Sequence, residues 1–335
     1  MVKEGKWLRI AVVALPVGLF ILGVASMIYT NFRPERPEYD EDYRKRMDAA
    51  SLNRKPVNRA DLERYTKILA TEIGERNLAH PKKLESAAIW IQSTLKGGNL
   101  GYRVKSQVFA VDEKTEVRNL HADLTGGSRR REIIVVGAHY DSAPGCPGAN
   151  SGGSGVAAVL SLAQAFAGDP QERTIRFSFF VNSQGEMPGS RVAAKRSEED
   201  GENIVAMLSL DSIGYFSEAE GSQKWPEGLA PDLPDQGNFI AFSGDELARF
   251  RMDSAKTLFS ASSGIPAVAI RIPGLESDHT SFARYQFPAV LVTDTARYRD
   301  PSYGKPTDTY DKLDFDALKN VSVGLKSVVE AWANP

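Results

Sequence analysis

The chain predicts an α/β fold: a mixed, mostly parallel central sheet with helices on both faces, plus one N-terminal transmembrane helix. Short β-branched and aromatic runs alternate with longer stretches of helical apolar spacing over most of the 335 residues. Within them, Ile133-Ile134-Val135-Val136-Gly137-Ala138 is apolar without alternation, as a strand covered on both faces requires. Near the start, Ile10 to Tyr29 carries no charge over twenty residues. At about 1.5 Å per residue that is enough to cross a hydrocarbon core of ~30 Å. A hydrophobic content of 42% supports a sizeable core, and length alone allows one large α/β domain or two.

Taken in order, residues 1–9 read as a short cytoplasmic tail, 10–29 as the anchor, 30–56 as a charged stalk and 57–335 as the domain. Trp7 and Tyr29 sit at the two membrane interfaces, and Pro16 is tolerable inside such a helix. Lys3, Lys6 and Arg9 favour a cytoplasmic tail, against the weaker opposing vote of Arg33 and Arg36. The domain then lies outside the cytoplasm, periplasmic or extracellular, on a single-pass protein. The rival is a cleaved signal peptide with Gly23-Val24-Ala25 as its small-residue site, for which the apolar stretch is long.

Pro34, Pro37 and Pro56 suit the stalk. Leu62, Tyr65, Leu69 and Ile73 form the stripe of a first helix, ended by Gly74. A second begins at Pro81, carries Leu84, Ala88, Ile91 and Leu95, and stops at Gly97-Gly98. Strands are expected at Tyr102–Phe109, Val117–Leu124, Glu132–Ala138, Thr174–Val181, Ile204–Leu210, Phe239–Phe242, Ala267–Arg271 and Ala289–Thr293. Further helices are expected at Ser154–Ala167, Glu246–Ser260 and Phe315–Ala333. The Gly-, Pro- and acid-rich stretch Phe216–Gly237 is long for a plain connection and is expected to line or cover a site.

A net charge of −2 gives no sign of a nucleic-acid footprint, and the Arg129-Arg130-Arg131 run reads as a solvated hairpin or loop, with a patch for an anionic partner as the alternative. Cys146 is the only cysteine, so no internal disulfide can form; it reads as a packed loop thiol. Asn320-Val321-Ser322 matches a glycosylation sequon of little weight.

The chemistry-bearing residues fall at strand ends, where sites form in such sheets. His139-Tyr140-Asp141 places an imidazole beside a carboxylate, a common way of presenting a metal ligand. Alone, a histidine after a strand is more often a hydrogen-bonded structural residue. Four patterns follow it in order: the Gly-rich loop Pro147–Gly155 opening a helix, Leu210-Asp211-Ser212-Ile213-Gly214-Tyr215, Ser277-Asp278-His279 and Thr293-Asp294-Thr295.

With these motifs, from about Asp61 to Asp316, the chain resembles metallopeptidase family 28, the dizinc aminopeptidases related to glutamate carboxypeptidases and glutaminyl cyclases. The opening Glu75-Arg76-Asn77-Leu78 and the closing Asp308-Thr309-Tyr310-Asp311-Lys312-Leu313 belong to the match. The resemblance implies two zinc ions sharing a bridging aspartate, with further histidine and carboxylate ligands and a glutamate as general base. His139 and Asp211 match the first zinc's own ligands, and Asp141 the carboxylate that orients the histidine. The other positions depart. The bridging aspartate falls on Ser151, the paired glutamates on Ser183 and Gln184, and the late histidine on Gly304.

A catalytic zinc needs three protein ligands and an open position for water. His139 and Asp211 supply two, and a hydroxyl or an amide binds zinc weakly. Without a glutamate at position 183, no acceptor for the water proton is evident, worth ~10²–10⁴ in rate. Glu186, Asp278 and His279 are the residues from which a rearranged site could draw. A Ser183-His279-Asp278 hydrolase is disfavoured because no Gly-x-Ser-x-Gly elbow surrounds Ser183.

The leading expectation is a membrane-anchored pseudopeptidase that binds a peptide or amino-acid-like ligand, or a protein partner, in a pocket including Tyr215, Asp278 and His279. No cofactor is expected under that reading. The alternative is an active aminopeptidase with a rearranged or single-metal site, which would hold zinc. A third is a structural ectodomain without ligand.

Overall fold

The computed structural model describes residues 41–96, 100–181, 187–229 and 232–335. The tail and anchor (1–29), and Ser183, Gln184 and Glu186, lie outside the described residues. Among the described residues no helix is long and apolar enough to cross a membrane.

Helix α1 spans Glu41–Ser51. The stretch read as a stalk is therefore helical in part, and Met47 and Ala50 are buried. Their approach depends on two distant glycines. A Cβ at Gly101 would lie 2.8 Å from Ala50 Cβ, and one at Gly168 2.5 Å from the Met47 carbonyl oxygen.

Helix α2 (Arg59–Lys67) is capped by the Asn58 side chain, which accepts from the Asp61 amide, and runs into a π-helical turn at Ile68–Ile73. Gly74, at φ 77°, ends it as its residue type suggests. Helix α3 (Pro81–Leu95) buries Leu84, Ala88, Ile91 and Leu95, the stripe expected of it.

Among the described residues, eight strands form: β1 (Val104–Ala110), β2 (Glu116–Leu124), β3 (Arg129–His139), β4 (Arg173–Phe180), β5 (Asn203–Leu210), β6 (Ile240–Ser243), β7 (Ala267–Ala269) and β8 (Ala289–Thr293). They form one sheet in the order β1-β2-β4-β3-β5-β8-β6-β7. Its centre is parallel, β4 and β5 flanking β3 and β8 following β5, while the pairs β1/β2, β2/β4 and β6/β8 are antiparallel. The expected mixed, mostly parallel sheet is the one observed. The arginine run differs from expectation: Arg129–Arg131 already belongs to β3, with a register shift between Arg129 and Ile133, because Arg129 reaches Glu132 at 2.9 Å and pairs with Arg173 of β4.

The two faces of β3 show how the sheet is covered. Ile134, Val136 and Ala138 face helices α4 (Gly155–Phe166) and α8 (Phe315–Ala333) in the main core, which Phe259 of α6 (Arg249–Ser263) also joins. Ile133 and Val135 face the opposite side, against Ala193 and Ala194 of α5 (Pro188–Glu199) and Phe282 of α7 (Asp278–Ala283). A strand buried on both sides follows directly from the unbroken apolar run. The parallel strands β3, β4, β5 and β8 share one carboxyl rim, and the candidate residues collect there.

Candidate functional site

His139 is the last residue of β3 and Asp211 follows the last residue of β5, its neighbour in the sheet. Asp211 is aimed by an unusual turn. Ser212 takes φ 53°, a left-handed value uncommon for serine, and its carbonyl accepts from the Asp294 amide and from Thr293 Oγ1. The Ser212 hydroxyl donates to Asp211 Oδ1 at 3.2 Å.

The imidazole stands between two carboxylates. Its Nε2 lies 3.4 Å from Asp211 Oδ1, and its Nδ1 lies 3.1 Å from the Asp141 backbone oxygen and 3.6 Å from Asp141 Oδ1. Burial works against charging this ring, but Asp211 first and Asp141 with it hold the His139 proton well above the ordinary histidine range. Burial likewise opposes the Asp211 charge, yet His139 and the Ser277 and Ser212 hydroxyls keep its carboxyl below the usual range. The two directions agree: this is a buried imidazolium–carboxylate pair. Gly152, at φ 82°, closes over it. A Cβ there would sit 2.9 Å from both His139 Cε1 and the Asp141 carbonyl oxygen.

At zinc–ligand bond lengths of ~2.0–2.1 Å, two tetrahedral donors stand about 3.4 Å apart. One edge of a zinc tetrahedron is thus in place in His139 and Asp211, and among the described residues the other corners are not. Ser151 offers a neutral hydroxyl on a loop whose amide donates to Asp308 Oδ2. Gly304 offers no side chain, and sits in a turn at φ 68° with open space where a Cβ would be. Among the described residues, no group of three or more His, Cys, Asp or Glu is placed to hold a metal ion. The donor set does not fit a dizinc centre.

Asp278 and His279 open α7 and come to the same rim. Burial pushes the Asp278 carboxyl up to about 7 against the field of His139. Neither of its oxygens reaches hydrogen-bond geometry, although the Ser190 hydroxyl is close. Burial pushes His279 down to about 4 despite Asp211, and its Nδ1 has no partner. The Tyr215 amide donates to Asp294, and its phenol lies in the field of Asp300 and Asp294. The Phe216–Gly237 stretch is pinned by Gln223, which bonds Thr295 and Arg299, and by Trp225 stacked on Phe239.

Two groups of functional weight carry no sequence signal of their own. Tyr303, beside Gly304, lies so near Asp211 that this carboxylate is the first cause holding its phenol above the ordinary range. A second polar cluster is built on Asn150, whose Nδ2 donates to Asp294 (2.9 Å) and Asp300 (3.1 Å) and whose amide donates to Asp308 (2.7 Å). Arg76, fully buried, closes that cluster by donating to the carbonyl oxygens of Tyr140, Leu69, Gly74, Pro147 and Gly148.

A mixed sheet sandwiched by helices, with His-x-Asp and Asp at the ends of adjacent parallel strands, defines a protein of the zinc aminopeptidase architecture. The chain belongs to peptidase family M28, whose sequence profile matches residues 119–329. It is 29% identical to the uncharacterized protein YfbL of Escherichia coli, over 79% of this chain and 85% of that one. It is 26% identical to a probable leucine aminopeptidase of Trichophyton verrucosum, over 93% and 84% respectively. Among solved structures, the zinc aminopeptidase BSAP from Bacillus subtilis superposes with a TM-score of 0.69 at 14% identity, over 83% of this chain and 96% of that one. A glutaminyl cyclase from Fimbriiglobus ruber superposes at 0.62 and 19%, with the same coverage. At such identities the superpositions speak for the fold.

Proposed function

We propose that this chain is a pseudopeptidase: an M28 domain, anchored outside the cytoplasm by residues 10–29, that binds a peptide or amino-acid-like ligand without zinc-dependent hydrolysis. The observation that carries it is the donor set. His139 and Asp211 keep the spacing of two zinc ligands, while the positions that would complete the set are Ser151, Ser183, Gln184 and Gly304. The His139 ring stands between Asp211 and Asp141 and meets both carboxylates without a cation. Changes confined to the site, on a scaffold otherwise matching the family, fit a domain kept for binding.

The test is the zinc content of the purified full chain after equilibration with stoichiometric zinc and desalting, with hydrolysis of aminoacyl p-nitroanilides measured on the same sample. Near-zero metal and no cleavage are expected. One or two retained zinc ions with metal-dependent cleavage would overturn the proposal and favour a rearranged aminopeptidase.

A further inference from the structure

A cavity of about 360 Å³ runs alongside α7 and shares His279 with the site above. Its size is at the lower end of the range for small-molecule sites, roughly 300–1,000 Å³. Its walls come from the loop after β6, the segment between β7 and α7, and the outer face of α7.

Three features point to a ligand. His279 lines the cavity, and its Nδ1, itself closed off from solvent, has no hydrogen-bond partner among the described residues, whereas buried polar groups in folded proteins are nearly always paired. The exposed side chains of Arg271 and Arg284, both lining the cavity, form no hydrogen bond or ion pair among the described residues, and a guanidinium is the side chain best matched to a carboxylate. Asp245 and Glu276 line the same space and supply negative charge: Glu276 is without an ion pair among the described residues, and Asp245 uses one oxygen to cap the turn at Glu246–Ala248. A second cavity of about 200 Å³, around His121 and Arg176, shows the contrast. There Arg176 is held by Asp123 and Glu202, and His121 by Ser178 and Gln107, so its polar groups are already engaged.

The geometry points to the α7 cavity as the seat of a zwitterionic ligand, a free amino acid or dipeptide, with its carboxylate on Arg271 and Arg284, its ammonium toward Glu276 and Asp245, and the His279 ring on its wall. This rests on the reading that the domain binds an amino-acid-like ligand, and moves that ligand off the altered metal centre into the chamber beside it.

Isothermal titration of the full chain with L-leucine and glycyl-L-leucine tests it, with leucinamide and N-acetyl-leucine as probes lacking the carboxylate and the ammonium. Leucine or the dipeptide should bind, and both derivatives should bind at least tenfold more weakly. Arg271→Ala and Arg284→Ala should each weaken binding by about tenfold; both side chains are exposed, so an unchanged melting temperature shows that the variants are folded. Ser151→Ala, in the altered centre, should leave binding as it is. Failure of both zwitterions to bind, equal binding of leucinamide, or wild-type affinity in both arginine variants overturns the inference. Zinc uptake with leucine binding intact would overturn the pseudopeptidase reading and leave this one standing.

Discussion

Two buried polar clusters share the carboxyl rim of the sheet, and they are built on opposite principles. Around Asn150, the oxygens of Asp294, Asp300 and Asp308 all accept hydrogen bonds, and Arg76 spends its donors on five carbonyls. Arg299 Nη2 is the exception there. Around Asp211, both oxygens of Asp278 and Nδ1 of His279 are left without partners. A satisfied network holds loops in place, whereas unsatisfied groups at the same depth are destabilising unless something binds. The first cluster is a satisfied frame, and the second is not.

The comparison breaks first at Arg76. Arg76→Ala takes a donor from five carbonyl oxygens; that of Leu69 keeps the Gly74 amide and that of Gly148 the Gly153 amide, and each of the others that stays buried and unpaired costs about 1–3 kcal/mol. The expected outcome is a chain that does not accumulate in folded form, read from soluble yield and circular dichroism; a folded variant with a near wild-type urea midpoint would dissolve the distinction.

The same substitution should cost more in the first cluster than in the second, because burial pushes both carboxyls up to about 7 but only that of Asp294 accepts hydrogen bonds. Asp294 accepts from Asn150 Nδ2 and from the amides of Tyr215 and Ala296. Asp294→Asn turns a donor toward those donors and should lose about 1–3 kcal/mol at neutral pH by urea titration. Asp278 has no such partners. Its proton is held more tightly in the folded state (pushed from 3.8 to about 7), so its stabilising contribution is full below about pH 4 and lost as pH rises through about 7. Asp278→Asn should therefore be more stable than wild type at pH 8 and flatten the loss between pH 4 and 7. A steeper loss in the variant would mean that Asp278 is engaged after all.

The smallest effect concerns the departed ligands. Gly304→His places a side chain at φ 68°, a strain of about 1 kcal/mol, and with Ser151→Asp it returns two donors to the rim. The double variant should retain zinc through desalting better than wild type; equal retention would show that the loops no longer converge on the His139–Asp211 edge.

Much of this arrangement was legible in the sequence. The observed β8 and α8 have the bounds read from their apolar spacing, and β5 begins one residue earlier, because their burial pattern is local; β3 begins three residues earlier, at the arginine run, and ends one residue later. His139, Asp141 and Asp211 came from motifs that a strand end makes recognisable. What escaped depends on partners far along the chain. Helix α1 is charged and buries little, and docks because Gly101 and Gly168 lack side chains. Helix α5 follows the left-handed Met187 and carries a charged outer face. Arg76 and Asn150 were visible only as parts of a family motif, since nothing in a single residue type announces five carbonyls or three carboxylates waiting for it. The partnerless state of His279 is likewise a property of the fold, not of Ser277-Asp278-His279.

Gly152 and Gly155 have a further consequence for how this chain tolerates change. A Cβ at 155 would fall 2.1 Å from the Leu210 carbonyl oxygen, and one at 152 would meet the His139 ring. Between them and Gly148, which is at φ 63°, Ser151 stands in an extended conformation that any residue adopts. In a saturation library this loop should behave as one permissive letter set among nearly immutable ones. A lineage could then rewrite the bridging position in a single step, in either direction, while the spelling around it stayed fixed.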